Sequence, residues 1–528
     1  MSASAERPPT DRSNPPAARR PDGTWQLSPT IKRVTDDSRD VRPGDLFVAI
    51  RGTRDDGHAY LAQALQAGAA AAVVDDPDAV AEAPPGLPLI RVQSSREALA
   101  ELASTFYGNP SRQLRVVGIT GTNGKTTAAA LLEAILTAAG QSAQALGTLG
   151  PFDDENGYPL TTPFPLQLQR TLRRLVDEGK QAVVMEVSSH GIAQHRVAGV
   201  EFDVAVLTSL GRDHLDYHPS LKAYWAVKTR LFKVLSRPRT KSFQPVAVLP
   251  LEGEGVEAVA RHVRVPSLRF GISEKADVHA MAVEPLAWGA RLTLCIAGAR
   301  IRTRIHLPGR FNVENALAAA AAAHALGIAP HHIALGLESV RRVPGRAERM
   351  SLPGGGYAVV DYAHNPDGLA RLLAAVRQGA ADRRIVCVFG GRGHRDPGKL
   401  PLMGETASRF ADALVLTTDS PLDEDPRSLA SAIESGVPRT SGMSVEYVGD
   451  RGLAIERALR VAGPGGIVVI TGRGHEREQW IGEQVVHRAD AELVRDAVHR
   501  MRAAQGGPPA RPASRPSLSG PPRERRRV

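Results

Sequence analysis

At 528 residues the chain is long enough for about three domains of roughly 150 residues each, and 42% hydrophobic with 23% charged residues is ordinary for a soluble globular protein. No apolar run of about 18 residues occurs, which excludes a membrane-spanning helix, and Met1 to Asp22 lacks the apolar core of a secretory signal. The net charge of +10 leans on the C-terminus, where Arg511, Arg515, Arg523, Arg525, Arg526 and Arg527 face a single Glu524; this Pro/Arg/Ser tail is expected to be solvated and disordered rather than nucleic-acid-binding.

In chain order, residues 1–24 are expected as a disordered extension. A compact α/β unit follows over residues 25–112, with strand Asp45 to Ile50, helix Tyr60 to Ala67 and strand Ala70 to Val74. A second unit, 113–342, opens with strand Leu114 to Thr120, a Gly-rich loop and helix Thr126 to Ala139. Strands Gln181 to Val187, Phe202 to Thr208 and Pro245 to Leu249 come next, then helices Lys222 to Leu235 and Asn315 to Leu326. Strands alternating with helices predict a mainly parallel sheet covered on both faces.

A third unit, 343–505, carries strands Tyr357 to Asp361, Arg384 to Phe389, Ala413 to Thr417 and Gly466 to Ile470, with a helix at Pro366 to Arg377. Residues 506–528 form the basic tail. The fold class expected is thus α/β in three domains: a central P-loop parallel sheet, an N-terminal α/β domain and a Rossmann-like C-terminal domain. Cys295 and Cys387 lie far apart in apolar runs and read as buried thiols of a reducing cytoplasm.

The loop Gly121-Thr122-Asn123-Gly124-Lys125-Thr126-Thr127 sits between a strand and a helix, where backbone N–H groups and the helix N-terminus cradle phosphates. Lys125 reaches toward the β/γ-phosphates and the Thr126 hydroxyl toward Mg²⁺. The spacing departs from the usual P-loop, because Ile119 stands at the first glycine position. Glu186 ends the next apolar strand, well placed for a cation that prefers oxygen ligands. Asp213-His214-Leu215-Asp216-Tyr217-His218 is a dense polar loop, and taken alone Lys228 on the following helix reads as a solvated charge.

These motifs resemble, in order, those of Mur ligases. The series runs from Gly121–Thr127 through Glu186–His190 and Asp213–His218 to Leu307-Pro308-Gly309-Arg310-Phe311-Asn312-Val313-Glu314-Asn315-Ala316. Gly345-Arg346, Asp361-Tyr362-Ala363-His364 and Gly472-Arg473-Gly474-His475-Glu476 complete it. The likeness spans roughly residues 30 to 500 and is closest to the UDP-N-acetylmuramoyl-tripeptide synthetase branch.

The resemblance implies an ATP-dependent amide ligase that adds a diamino acid to UDP-N-acetylmuramoyl-L-alanyl-D-glutamate through an acyl phosphate, in cytoplasmic cell-wall synthesis, with the chain a monomer. It implies Lys125, Glu186, His214 and a carbamylated Lys228 as catalytic, with Thr126, Glu186, His214 and Lys228 around Mg²⁺. ATP contacts would come from Gly121 to Thr127, Asn312, Arg346, Asp361 and His364. The UDP-substrate would meet Ser38, the loop Gly52 to Gly57, Thr161, Thr162, Ser188, Gln194 and Arg196. The amino acid would meet Arg395, Asp419, Ser420, Gly472 and Glu476.

Diaminopimelate-adding members carry Asp-Asn-Pro-Arg where this chain reads Asp419-Ser420-Pro421-Leu422. Leu422 offers no bidentate charge-assisted pair, which points to L-lysine or L-ornithine, with meso-diaminopimelate as the alternative. Ser209, Gly211, Leu249 to Glu252 and Arg473 also depart from the family pattern, and a divergent paralogue acting on another substrate stays open. Folylpolyglutamate synthase, a non-catalytic ATP sensor and a nucleic-acid-binding P-loop protein are the other readings. The first needs no unit at residues 30–110, and the intact Lys125, Thr126, Glu186 and His214 speak against the second.

Overall fold

The computed structural model describes residues 16–20, 24–52, 55–81, 83–150, 160–380, 382–504 and 518–519. A hairpin of β1 (Ala17–Arg19) and β2 (Trp25–Leu27) comes first. It corrects the expectation of a disordered start up to residue 24. Ala17 and Trp25 are buried against the helix Ser95–Phe106, and Trp25 Nε1 donates to Glu101 at 3.0 Å, so two anchors offset the polar composition. Residues 1–15 and 21–23 of that extension lie outside the described residues.

Four parallel strands then form a sheet in the order β3 (Arg33–Thr35), β4 (Asp45–Val48), β5 (Ala71–Val74) and β6 (Leu89–Arg91). Strands β4 and β5 are buried throughout, as apolar strands covered on both faces are, and the buried Asp45 that opens β4 is paired with Arg33.

The second sheet has nine strands: β7 (Arg115–Thr120), β8 (Ala143–Leu146), β9 (Ala182–Glu186), β10 (Val204–Leu207), β11 (Val246–Pro250), β12 (Ser267–Gly271), β13 (Val278–Pro285), β14 (Ala290–Ile296) and β15 (Ala299–Ile305). Their spatial order is 15-14-13-12-11-10-7-9-8. From β8 to β13 every pairing is parallel, as the mainly parallel sheet expected requires, and β13, β14 and β15 add an antiparallel arm at one edge. The reason is local. Ala297 and Gly298, both at positive φ, make the two-residue turn that joins β14 to β15, and such a turn reverses the chain without a crossover.

Helices Lys125–Ala138 and Arg310–Ala325 pack on one face of this sheet; Pro165–Asp177 and Leu221–Val234 pack on the other. The alanine-rich helix starts at Arg310 rather than Asn315, which places Asn312 inside its first turn.

The third sheet runs β16 (Glu348–Ser351), β17 (Tyr357–Val360), β21 (Ile467–Ile470), β18 (Ile385–Phe389), β19 (Ala413–Leu416) and β20 (Ser444–Tyr447), all parallel except the β16–β17 edge pair. A hairpin of β22 (Glu478–Ile481) and β23 (Gln484–His487) follows, and in the tail Leu518–Ser519 pairs with β23. The remainder of the tail lies outside the described residues. Cys295 and Cys387 are both buried free thiols. Among the described residues no helix is long and apolar enough to cross a membrane.

Candidate active site at the strand ends

Strand β7 is flanked by β9 and β10, so the loops after all three strands meet at one end of the central sheet. The loop Gly121 to Thr127 is one of them, and its helix starts at Lys125, leaving the first-turn N–H groups without partners inside the helix. Asn123 is pinned by Ser209 and Thr208: its N–H donates to Ser209 Oγ (3.1 Å), and its carbonyl accepts from Thr208 Oγ1 (2.6 Å). Lys125 Nζ donates to the carbonyls of Gly121 (2.9 Å) and Thr122 (3.2 Å), and burial lowers its pKa despite the nearby Glu186.

Glu186, buried at the end of β9, accepts from Thr126 Oγ1 at 2.9 Å and from the Thr148 N–H at 2.8 Å. Gly147 makes that position available. A Cβ on it would lie 2.4 Å from Glu186 Oε1. Arg346, from beyond the central sheet, donates to Thr126 Oγ1 at 2.8 Å, so one hydroxyl touches both a carboxylate and a guanidinium.

The loop after β10 supplies Asp213 and His214. Asp213 is buried and accepts from Asn365 Nδ2 (3.0 Å) and the His214 N–H (2.9 Å), with His364 Nε2 at 3.2 Å. Burial opposes its charge, yet His214, His364 and Lys399 hold its carboxyl well below the usual range. His214 sits at φ 53, its ring edge-on to His190 at 4.8 Å. Burial holds it neutral, with a pKa of about 3, and a neutral imidazole keeps a lone pair for a ligand.

Lys228, read from sequence as solvated when taken alone, is buried and donates to the Gly121 carbonyl at 2.9 Å. Desolvation, aided by Lys125, pushes its pKa well below that of an ordinary lysine. Burial thus favours the neutral, nucleophilic form of the amine.

A second cluster adjoins Glu186. Thr162 Oγ1 donates to the Glu186 carbonyl (3.0 Å) and accepts from the Ser188 N–H (2.9 Å). Arg196 is buried, donating to the Thr162 carbonyl (2.7 Å) and to Gln194 Oε1 (2.7 Å); burial brings its pKa down to about 10. Thr161 Oγ1 lies 3.4 Å from Thr148 Oγ1, and Gln194 Nε2 donates to the Tyr217 hydroxyl at 3.4 Å. Ser38 stands apart from this cluster, opening the 3-10 turn Ser38–Asp40 of the first unit, and residues 53–54 of the loop Gly52 to Gly57 lie outside the described residues.

In the third unit, Asp361 accepts from the N–H groups of Ala347 (2.6 Å) and Ala363 (2.7 Å), an arrangement that braces the crossing at Gly345 and Arg346. Asn312 donates to the Pro308 carbonyl (2.8 Å) and accepts from Asn315 (3.1 Å) beneath Gly124. Arg395 reaches Asp216 at 3.3 Å, and Gly472 lies against Asp419. Ser420 Oγ accepts from the Trp480 N–H at 3.2 Å.

Glu476 pairs with Arg392 and accepts from the Tyr362 hydroxyl at 3.1 Å. Arg392, Asn365 and Lys399 are functional candidates that sequence reasoning passed over. An arginine inside Gly390-Gly391-Arg392-Gly393 was the available signal for the first.

The donor set fits Mg²⁺ on its chemistry. Thr126 and Glu186 are hydrogen-bonded oxygen donors beside a Gly-rich loop, the kind of ligand that a hard cation takes. The compact ligand group Asp56, His58 and Asp76 of the first unit is instead accounted for by ion pairs, since Arg51 holds both aspartates and Asp56 holds His58.

Comparison with known proteins decides the family. Residues 30–107 match the model for "Mur ligase family, catalytic domain", 119–323 the Mur ligase middle domain, and 345–474 "Mur ligase, glutamate ligase domain". The chain belongs to the Mur ligase family. This Mur ligase is 41% identical over 499 residues to a UDP-N-acetylmuramoyl-L-alanyl-D-glutamate--2,6-diaminopimelate ligase of Geobacter metallireducens, covering 91% of this chain and 96% of that one. The protein of the same name from Pseudomonas putida is also 41% identical, over 468 residues, covering 86% and 92%.

A solved structure of such a ligase superposes with a TM-score of 0.61 at 29% identity, covering 90% of this chain and 95% of that one. A Mycobacterium tuberculosis folylpolyglutamate synthase bound to ADP and AMPPCP shares the fold at 20% identity with a TM-score of 0.59, covering 79% and 96%.

Proposed function

We propose that this Mur ligase is an ATP-dependent amide ligase of the MurE type, joining a diamino acid to UDP-N-acetylmuramoyl-L-alanyl-D-glutamate in peptidoglycan synthesis. The observation that carries the reading is Glu186. It binds Thr126 of the phosphate loop through its carboxylate and Thr162 of the adjoining polar cluster through its carbonyl, so a nucleotide site and a second polar site share one residue. Relatives covering nine-tenths of the chain and named for this reaction support it.

The D-Glu γ-carboxylate attacks the γ-phosphate of ATP, forming a C–O–P bond as the bond to ADP breaks. The amino group of the diamino acid then attacks the acyl carbon, and phosphate leaves with one carboxylate oxygen. Two anions must meet in the first step. Lys125, the loop N–H groups and Arg346 therefore supply fixed positive charge where negative charge gathers.

Thr126, Glu186, His214 and a carbamylated Lys228 would hold Mg²⁺, which would supply further neutralisation of the gathering negative charge. Burial favours the neutral form of the Lys228 amine, which is the form that adds to carbon dioxide. Thr161, Thr162, Ser188, Gln194 and Arg196 orient the dipeptide, with Ser38 and the loop Gly52 to Gly57 on its UDP end. Asn312, Asp361 and His364 serve the nucleotide; Arg395, Asp419, Ser420, Gly472 and Glu476 serve the amino acid. The boundaries 25–112, 113–342 and 343–505 delimit these three tasks, and we assign the reaction to the cytoplasm and to a monomer.

The test is phosphate release from ATP with UDP-N-acetylmuramoyl-L-alanyl-D-glutamate and a panel of amino acids. Release that depends on both the dipeptide and a diamino acid supports the reading. Release indifferent to the dipeptide refutes it.

A further inference from the structure

We infer that Arg392 takes over the charge that Leu422 lacks, and selects an amino acid whose side chain ends in both an ammonium and a carboxylate, as 2,6-diaminopimelate does. The inference rests on the ligase reading above and adds a residue to it.

Three loops at the carboxyl ends of β18, β19 and β21 build the place, the end of an open sheet where ligands bind. The β18 loop carries Arg392, the β19 loop Asp419 to Leu422, and the β21 loop Gly472 to Glu476. The first two are bound together: the Gly393 N–H donates to the Ser420 carbonyl at 3.1 Å, and Gly393 lies so close to Pro421 that a Cβ would fall 1.9 Å from its carbonyl oxygen. Arg392 thus stands beside the loop whose last residue is the uncharged Leu422. Leu422 itself is tied down at φ 59, its N–H donating to the Trp480 carbonyl at 3.3 Å and its carbonyl accepting from the Gly482 N–H at 2.5 Å.

The guanidinium makes a fork on Glu476, with Nη1 on Oε1 at 3.2 Å and Nη2 on Oε2, and Nη2 also lies 3.5 Å from Asp419 Oδ1. Burial works against the charge on Arg392, but Glu476 and Asp419 outweigh it and keep the group protonated. Its Nε, outside that fork, is buried with no hydrogen-bond partner among the described residues, so one donor of the guanidinium is uncommitted. Arg451 also acts on Asp419, and Arg473 on both Asp419 and Glu476, so Arg392 is not the cluster's only compensating cation and can exchange partners. A zwitterionic end suits this cluster on both counts: its ammonium takes Glu476 or Asp419, and its carboxylate takes the guanidinium that this exchange frees. An L-lysine end brings only the ammonium and leaves Arg392 adjacent to a like charge.

The experiment measures kcat/KM of the full-length protein with ATP and the UDP-dipeptide, varying meso-diaminopimelate, L-lysine and L-ornithine. Wild type is expected to prefer diaminopimelate. Arg392→Gln is expected to lower kcat/KM for diaminopimelate on the order of 100-fold, as for a buried charge pair losing its cation. It should lower that for L-lysine far less, and adding Leu422→Arg should restore part of the preference.

Equal losses for all three amino acids would mean a structural role and overturn the inference. So would a wild type that prefers L-lysine or L-ornithine, which leaves the ligase reading standing; a wild type that forms no amide with any of them refutes the ligase reading itself. Should Arg392→Gln fail to fold, Arg392→Lys carries the same comparison: a reduced diaminopimelate-to-lysine ratio supports the inference, and an unchanged ratio overturns it.

Discussion

Replacing Gly147 by alanine tests whether the position of Glu186, and not merely its presence, sets the rate. The new methyl would lie 2.4 Å from Oε1 and 2.5 Å from Cγ of Glu186, where ordinary contacts start near 3.4 Å, so the side chain must retreat by about 1 Å. That retreat breaks the bonds from Thr126 Oγ1 (2.9 Å) and the Thr148 N–H (2.8 Å). Each is a hydrogen bond to a charged group, worth roughly 1.5–3 kcal/mol, and a 1 Å misplacement in a catalytic constellation costs on the order of 100-fold in rate.

Gly140→Ala is the control. Gly140 also has a positive φ, 76°, but nothing lies within 4 Å of its would-be Cβ, so only backbone strain of about 1 kcal/mol is expected. Phosphate release and thermal melts on both variants decide the matter. The reasoning predicts a kcat loss of about two orders of magnitude in Gly147→Ala and little change in Gly140→Ala. A fully active Gly147→Ala, at a stability matching the control, would refute it.

Lys228→Ala should remove most turnover and regain part of it with a short-chain carboxylic acid; full activity without any addition would end the carbamate proposal. Asp213→Asn should weaken the hold of His364 and Asn365 on the central loop and lower kcat at least tenfold, read in the same phosphate assay, as expected when a buried, hydrogen-bonded charge is removed.

Acidification should destabilise the fold. Burial holds His190 and His475 neutral, with pKa values of about 3, whereas an unfolded histidine protonates near 6.5. The unfolded chain therefore binds more protons between these values, and Tm should fall as pH drops below 6.5, less steeply in His190→Gln. Removing residues after Gln505 should leave turnover near that of the full chain.

The phosphate loop, Glu186 and the His214 loop were legible because each follows an apolar strand and carries its own local signature. Lys228 was legible only through the family resemblance, since a lysine at helical spacing gives no hint that it will be buried against Gly121. Arg392 escaped because its meaning depends on Asp419 and Glu476, which are separated in sequence and joined only by the order of β18, β19 and β21. Asn365 and Lys399 escaped for the same reason: both converge on Asp213 from more than 150 positions away. The antiparallel arm from Val278 to Ile305 was hidden by its polar alternation, and the β1–β2 hairpin by a composition that its buried Trp25 overrides.

The most direct test of acyl-phosphate chemistry is an oxygen label in the D-Glu γ-carboxylate of the UDP-dipeptide. If that carboxylate attacks the γ-phosphate and an amine then displaces phosphate, each amide formed must deliver one carboxylate oxygen to inorganic phosphate. Phosphate carrying one label per tripeptide made is the predicted result. Tripeptide formed together with unlabelled phosphate would contradict the account.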